Sequence, residues 1–240
     1  MIRRSLSGIR IKDWLTMAGL SMIGYFLCSL INTSGLKYIS VGLERIILFC
    51  YPSLVLVGSA VLKKQPPSRN LIVACVMSWV GLYLVIQEEI QITAHTSRVL
   101  LGSALVLLSS IIYAGYILIA KPIITRVGSE RYTSLVMCFS CFFVLAYFGV
   151  TDGDMTALTY SKKALICGLI IGTFCTVLPT YILSFGLSKT DANSYAVLSS
   201  IGPVATIILS LAMAGQLPSW VQCLGVIFSI CGSLLASRKN

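Results

Sequence analysis

The residues able to do covalent or metal chemistry are few and poorly placed for it. The chain has nine cysteines, and Cys138-x-x-Cys141 has the spacing of a redox dithiol or half a zinc site. No second pair accompanies it. All nine lie in apolar stretches, where a free cysteine is a small residue at ease with burial. His95 is the single histidine and falls in a polar gap, so no His-based dyad forms inside an apolar run. No H-E-x-x-H, G-x-S-x-G or G-x-x-x-x-G-K occurs. The expectation is a protein that is not an enzyme, with no cofactor and no metal.

Binding chemistry is better represented. Glu44-Arg45 is the one charged pair just inside an apolar run. A charge at such depth faces protein or water and suggests a substrate or proton role. It lies within a turn of the run's end, so a snorkelling interfacial pair or cap is the competing reading. No acid stands at a midplane position. Tyr51, Tyr113, Tyr116 and Tyr181 offer flat apolar faces with one hydroxyl each, suited to lining a small-metabolite pocket or to plain packing. Asn32, Ser199 and Ser200 are polar positions in apolar runs, equally suited to helix–helix hydrogen bonds. Pro52 and Pro203 fall mid-run, where proline frees a backbone carbonyl and kinks a helix. Pro179 has no such partner. Gly168-x-x-x-Gly172 has the small-residue spacing of close helix packing.

These residues must be positioned by elements that suit an apolar solvent. Hydrophobic residues make up 57% of the 240 and charged residues 11%, and mean hydropathy is +0.91. Soluble domains carry about 25% charged residues. Eight apolar runs can be read: 15–36, 41–62, 70–87, 99–120, 132–150, 163–187, 192–214 and 219–237. Such lengths span a bilayer as helices, and their continuity excludes the alternation of barrel strands. The fold class is an all-α membrane protein with eight transmembrane helices. The basic start "MIRRSLSGIRIKDW" resembles a signal n-region, but the run after it is long and followed by no A-x-A site, so a retained span is expected.

The net charge of +10 follows from topology rather than from nucleic acid. With the loops alternating and the N-terminus inside, most Lys and Arg fall inside, among them Arg3, Arg4, Lys63, Lys64, Arg126 and Lys189. The outer segments balance their bases with Glu44, Glu88, Glu89, Asp152 and Asp154. This positive-inside bias puts both termini in the cytoplasm.

The sequence also repeats itself. At an offset of 151 residues, Pro52 falls on Pro203, Gly35-Leu36 on Gly186-Leu187, and Gln65, Pro67 and Ser68 on Gln216, Pro218 and Ser219. Coincident Pro, Gln and Gly are not what apolar composition produces by chance. The repeat sets helices 1–3 against helices 6–8, which cross the membrane in opposite directions. Inverted repeats are characteristic of secondary transporters with a site near the midplane. Helices 4 and 5 have no counterpart at the front. The expectation is an incomplete 3 + 5 form of a 5 + 5 bundle, with a first repeat of three helices over 1–90 and a second of five over 97–240.

The stretches "LKYISVGLERIILFCYPSLVLVGSAVLKKQPPS" and "TVLPTYILSFGLSKTDANSYAVLSSIGPVATIILSLAMAGQLPSWVQCLGVIFSICGSLL" resemble the two repeats of the EamA-like family of the drug/metabolite transporter superfamily. The resemblance implies ten helices in two inverted five-helix repeats, so the first two are expected to be absent. It also implies a Gly-Glu turn, for which Lys64-Gln65 and Gly215-Gln216 stand here. The function expected is a multi-pass permease or exporter of a small organic solute, such as a metabolite, an amino acid or a drug-like compound, working by alternating access. The alternative is a non-transporting truncated or decayed paralogue, or a subunit that needs a partner to supply two helices. The expected setting is the bacterial inner membrane. The partners are the lipid bilayer and the solute, with no nucleic acid; a homodimer is allowed.

Overall fold

The structure is a computed structural model. It describes residues 10–48, 50–64, 69–93, 95–151, 162–190, 219–221, 223, 224, 227, 228 and 231. Every regular element among them is helical, because a backbone in hydrocarbon must satisfy its own polar groups. The order is α1 (Ile11–Leu20), a π-helical segment (Ser21–Leu27), α2 (Cys28–Gly35), α3 (Val41–Leu48), α4 (Tyr51–Leu62), α5 (Arg69–Thr93), α6 (Thr96–Val127), α7 (Ser129–Thr151), α8 (Lys162–Ile170), a second π-helical segment (Ile171–Val177) and α9 (Leu178–Lys189).

Five stretches among the described residues are long and apolar enough to cross a bilayer: Ile11–Gly35, Val41–Leu62, Thr96–Val127, Ser129–Thr151 and Leu165–Lys189. They match five of the eight runs read from the sequence. α5 covers the third run but continues past 87 to Thr93, so Glu88 and Glu89 lie in a helix rather than in a loop. The run 192–214 lies outside the described residues, and 219–237 is described only in part. The described residues thus contain neither the full count of eight nor the whole second half of the inverted repeat.

The chain divides into two compact units, each discontinuous in sequence. One holds Met1–Phe26 and Ile119–Asp191, the other Leu27–Leu118 and Ala192–Asn240. In the first, α7 packs against α1 and α9, with Trp14 and Phe139 edge to face at 6.1 Å. Two polar contacts tie helix ends together there. Asp13, in the first turn of α1, receives a 2.7 Å hydrogen bond from Arg126 Nη1 in the last turn of α6. Each charge suits its own helix terminus, acid at the start and base at the end. Lys121 Nζ donates to the carbonyls of Leu187 and Ser188, which the end of α9 leaves without helical partners. The ends of α6 and α9 and the start of α1 therefore share one side, as alternating loops require.

In the second unit, α5 packs against α3 and α4. Ile39, Leu43, Ile46, Ile47, Leu82, Val85, Val99 and Val106 form its apolar centre. Two helices approach closely at Gly35 and Gly102. A Cβ on Gly35 would lie 2.7 Å from Val106 Cγ2, and one on Gly102 would lie 3.0 Å from the Gly35 carbonyl oxygen. Only glycine admits backbones this near.

Pro52 was expected in mid-helix. Instead α3 ends at Leu48, Cys50 makes a turn, and Pro52 stands at the start of α4. A proline lacks the N–H that an interior position requires, and the first helical turn is where that loss costs least. Ser110 Oγ of α6 donates to the Ile47 carbonyl at the break, at 3.3 Å.

Candidate functional site

A line of polar groups runs through the second unit, on α2, α3 and α6. Glu44, in the first turn of α3, is 2% exposed. Asn32 Nδ2 of α2 donates to Glu44 Oε1 at 2.8 Å. Ser109 Oγ of α6 lies 3.3 Å from Asn32 Oδ1 and 2.8 Å from the Val106 carbonyl, donating toward both. Cys28 Sγ donates to the Ser109 carbonyl at 3.3 Å. Glu44 Oε2 accepts no hydrogen bond among the described residues. Arg45 Nε stands 3.3 Å from it, within ion-pair range, with the Arg45 side chain 51% exposed. The pair read from the sequence is therefore split in environment. The acid is in the protein and the base is at its surface.

One turn along α6 from Ser109 comes Tyr113, then Tyr116. Their rings stack at 5.9 Å, and Tyr51 of α4 meets Tyr113 edge-on at 5.2 Å. Offset stacking and edge contact are the favoured arrangements of aromatic quadrupoles. Four of the expected pocket residues, Asn32, Tyr51, Tyr113 and Tyr116, are thus gathered with Glu44 along one helix. Pro52 is buried beside Tyr51 in sequence. Tyr181 belongs to the other unit, where its hydroxyl lies 2.6 Å from Ser134 Oγ. Ser199, Ser200 and Pro203 lie outside the described residues. A Cβ built on Gly168 or Gly172 meets nothing within 4 Å.

Sequence reasoning passed over a second polar group. Glu89 of α5 is buried and accepts from Ser40 N and Ser40 Oγ, both at 2.9 Å. Ser40 in turn caps α3, its Oγ accepting from Leu43 N at 3.2 Å. Glu88 accepts from Ser219 Oγ at 2.8 Å, and Ser219 opens the last helix through the bond from Cys223 N to its carbonyl. Neighbouring carboxylates on α5 hold the starts of two other helices, where the dipole favours negative charge. Two adjacent acids at a run's end, facing a Ser before each of two runs, was the signal available.

Sequence reasoning also set Pro179 aside. It is the second residue of α9, which follows the second π-helical segment directly. Its missing N–H leaves the Cys175 carbonyl without an α-helical partner, and the helix widens instead. Thr176 Oγ1 donates to the Ile171 carbonyl, five residues back, at 3.3 Å. In the first π-helical segment, Ser21 Oγ takes the Met17 carbonyl at 2.7 Å. Such back-bonding bends helices.

Apolar helical spans, two of them interrupted by π-helical turns, define an integral membrane protein. The chain belongs to the EamA-like transporter family, whose sequence profile matches residues 1–87 and 100–238. It is a membrane transporter. It is 26% identical to the uncharacterized transporter YcbK of Bacillus subtilis (strain 168) over 232 residues, 92% of this chain and 72% of that protein. It is 22% identical to the uncharacterized transporter YetK of the same organism over 241 residues, 100% of this chain and 72% of the relative. A crystal structure that shares 16% identity superposes with a TM-score of 0.68, covering 98% of this chain and 82% of the other, and so shares the fold.

Proposed function

We propose that this transporter moves a small organic solute by alternating access between inverted halves. The observation that carries the reading is the pair of π-helical segments, Ser21–Leu27 and Ile171–Val177. Their spacing differs by one residue from the 151-residue offset of the sequence repeat. Interrupted helices at corresponding places in two halves are the mark of transporters whose substrate binds near the bilayer midplane. The solute is taken to rest against Asn32, Tyr51, Tyr113 and Tyr116, with an apolar or aromatic body on the rings and a polar end on the amide. Both termini are assigned to the cytoplasm, and the membrane to the bacterial inner membrane.

The test is uptake by proteoliposomes from a mixture of radiolabelled amino acids, amines and small organic acids, under a solute or a proton gradient. At least one class is expected to accumulate over empty liposomes. Replacing Tyr113 with Ala is expected to lower that flux several-fold. If the wild type moved none of the mixture under either gradient, the carrier reading would fail.

A further inference from the structure

Glu44 is the one acid among the described residues that is both buried within an apolar span and left with a carboxylate oxygen that accepts no hydrogen bond. Burying an ionised carboxylate in an apolar medium is costly unless it is paired and hydrogen-bonded. Glu44 is half provided for. Oε1 has the Asn32 amide, whereas Oε2 has only the Arg45 guanidinium, close but not aligned.

The other groups around it cannot supply a charge. α2 contributes Asn32 and the Cys28 thiol, and α6 contributes the hydroxyls of Ser109 and Ser110. α5, which packs against α3, brings Glu89, and that carboxylate is held on Ser40 at the helix start. Arg45 is thus the single cation that meets Glu44 among the described residues.

We propose that Glu44 is the coupling-proton site of this transporter, with Arg45 as its built-in counter-charge. The inference rests on the carrier reading given above and names its coupling ion. The exchange is a proton transfer alone. A proton from water bonds to Glu44 Oε2, the carboxylate becomes neutral, and Arg45 keeps its own proton and is released. The Asn32 bond at Oε1 survives in both states, so the site does not fall apart when it is neutral. A proton shifts a conformational equilibrium only by binding one state better than the other. Conformations that hold Arg45 on Oε2 disfavour the proton, and conformations that part the two residues favour it. By reciprocity, protonation favours those parted conformations. An acid whose counter-ion is at the surface, rather than locked in the core, is built for that difference.

The test is infrared difference spectroscopy of the full chain in lipid, stepped through pH. The wild type is expected to show a protonated-carboxyl band that grows as pH falls and is missing from Glu44→Gln. Gln keeps an acceptor for Asn32, and helicity by circular dichroism checks the fold of the variant. Arg45→Gln leaves Glu44 in place and supplies an independent arm. Loss of the cation removes what favours the ionised form, so the band is expected to persist to higher pH. Identical spectra for wild type and Glu44→Gln overturn the proposal, and so does a band that Arg45→Gln leaves unmoved. Flux of radiolabelled amino acids into liposomes separates the two readings. Glu44→Gln is expected to lose proton-driven accumulation and keep downhill flux. A wild type that moves no solute defeats the carrier reading, whereas the Glu44 band decides the proton site in either case.

Discussion

Glu89 shows how much one side chain can organise at a helix start. Its two oxygens take both the backbone N–H and the hydroxyl of Ser40, so one carboxylate satisfies donors that would otherwise be stranded where α3 begins. Hydrogen bonds to a charged group contribute more than neutral ones, and leaving a buried donor unpaired costs about 1–3 kcal/mol. Glu89→Ala is therefore expected to lower unfolding stability in detergent by that amount, with a smaller loss for Glu89→Gln, which keeps one acceptor. Thermal unfolding followed by circular dichroism checks both. Lys64 is a second case at this scale. It follows the Lys63 cap of α4 with φ at +51°, in the left-handed region where a side chain is strained. A left-handed residue other than glycine costs roughly 1–2 kcal/mol, so Lys64→Gly is expected to raise stability by about 1 kcal/mol. A glycine here would adopt that backbone angle without strain.

Helices meet where small residues let them. Gly168 and Gly172 carry the expected spacing, yet an added Cβ touches nothing at either. Gly35 and Gly102, from different runs, bring two backbones together instead. Gly35→Ala or Gly102→Ala is expected to cost about 1–3 kcal/mol through overpacking. Gly168→Ala is expected to be neutral, or to stabilise by up to about 1 kcal/mol through helix propensity. Melting temperatures of the three variants in one detergent decide the matter. The widened turns are features of the element too. Pro179→Ala restores the missing N–H and is expected to draw Ile171–Val177 toward a regular helix. If that widening serves the transport cycle, flux falls several-fold while the melting temperature rises; unchanged flux in a regularised helix would argue that the segment only accommodates packing.

At the scale of the molecule, the apolar surface left by the fold is itself informative. Phe142, Leu145 and Val150 of α7, with Phe174, Ile182 and Phe185 of the span Leu165–Lys189, remain exposed. In a bilayer such residues meet acyl chains, which are as apolar as a protein core, so no further burial is needed. The helix-end contacts respect the alternation of loops. Asp13 meets Arg126, and Lys121 meets the end of α9, on one side within one unit. Ser40, Glu88, Glu89 and Ser219 gather on one side within the other. A fluorescent protein fused to the C-terminus is expected to fluoresce in cells, and a periplasmic phosphatase fused there to be inactive. The reverse pattern would overturn the cytoplasmic assignment.

The sequence alone determined that the chain lives in a membrane and roughly where most described spans lie. Each of these rests on local composition, which needs no knowledge of what faces what. It could also nominate Asn32, Glu44, Tyr51, Tyr113 and Tyr116, because polar and aromatic residues stand out against an apolar background. Only the tertiary structure decided which nominees meet. Asn32 and Glu44 lie on different helices, and Ser109, never singled out, joins them from a third. The depth of Glu44 was likewise invisible. Distance from a run's end suggested an interfacial charge, but burial depends on which face of α3 its neighbours cover, and that is settled by packing between segments far apart in the chain.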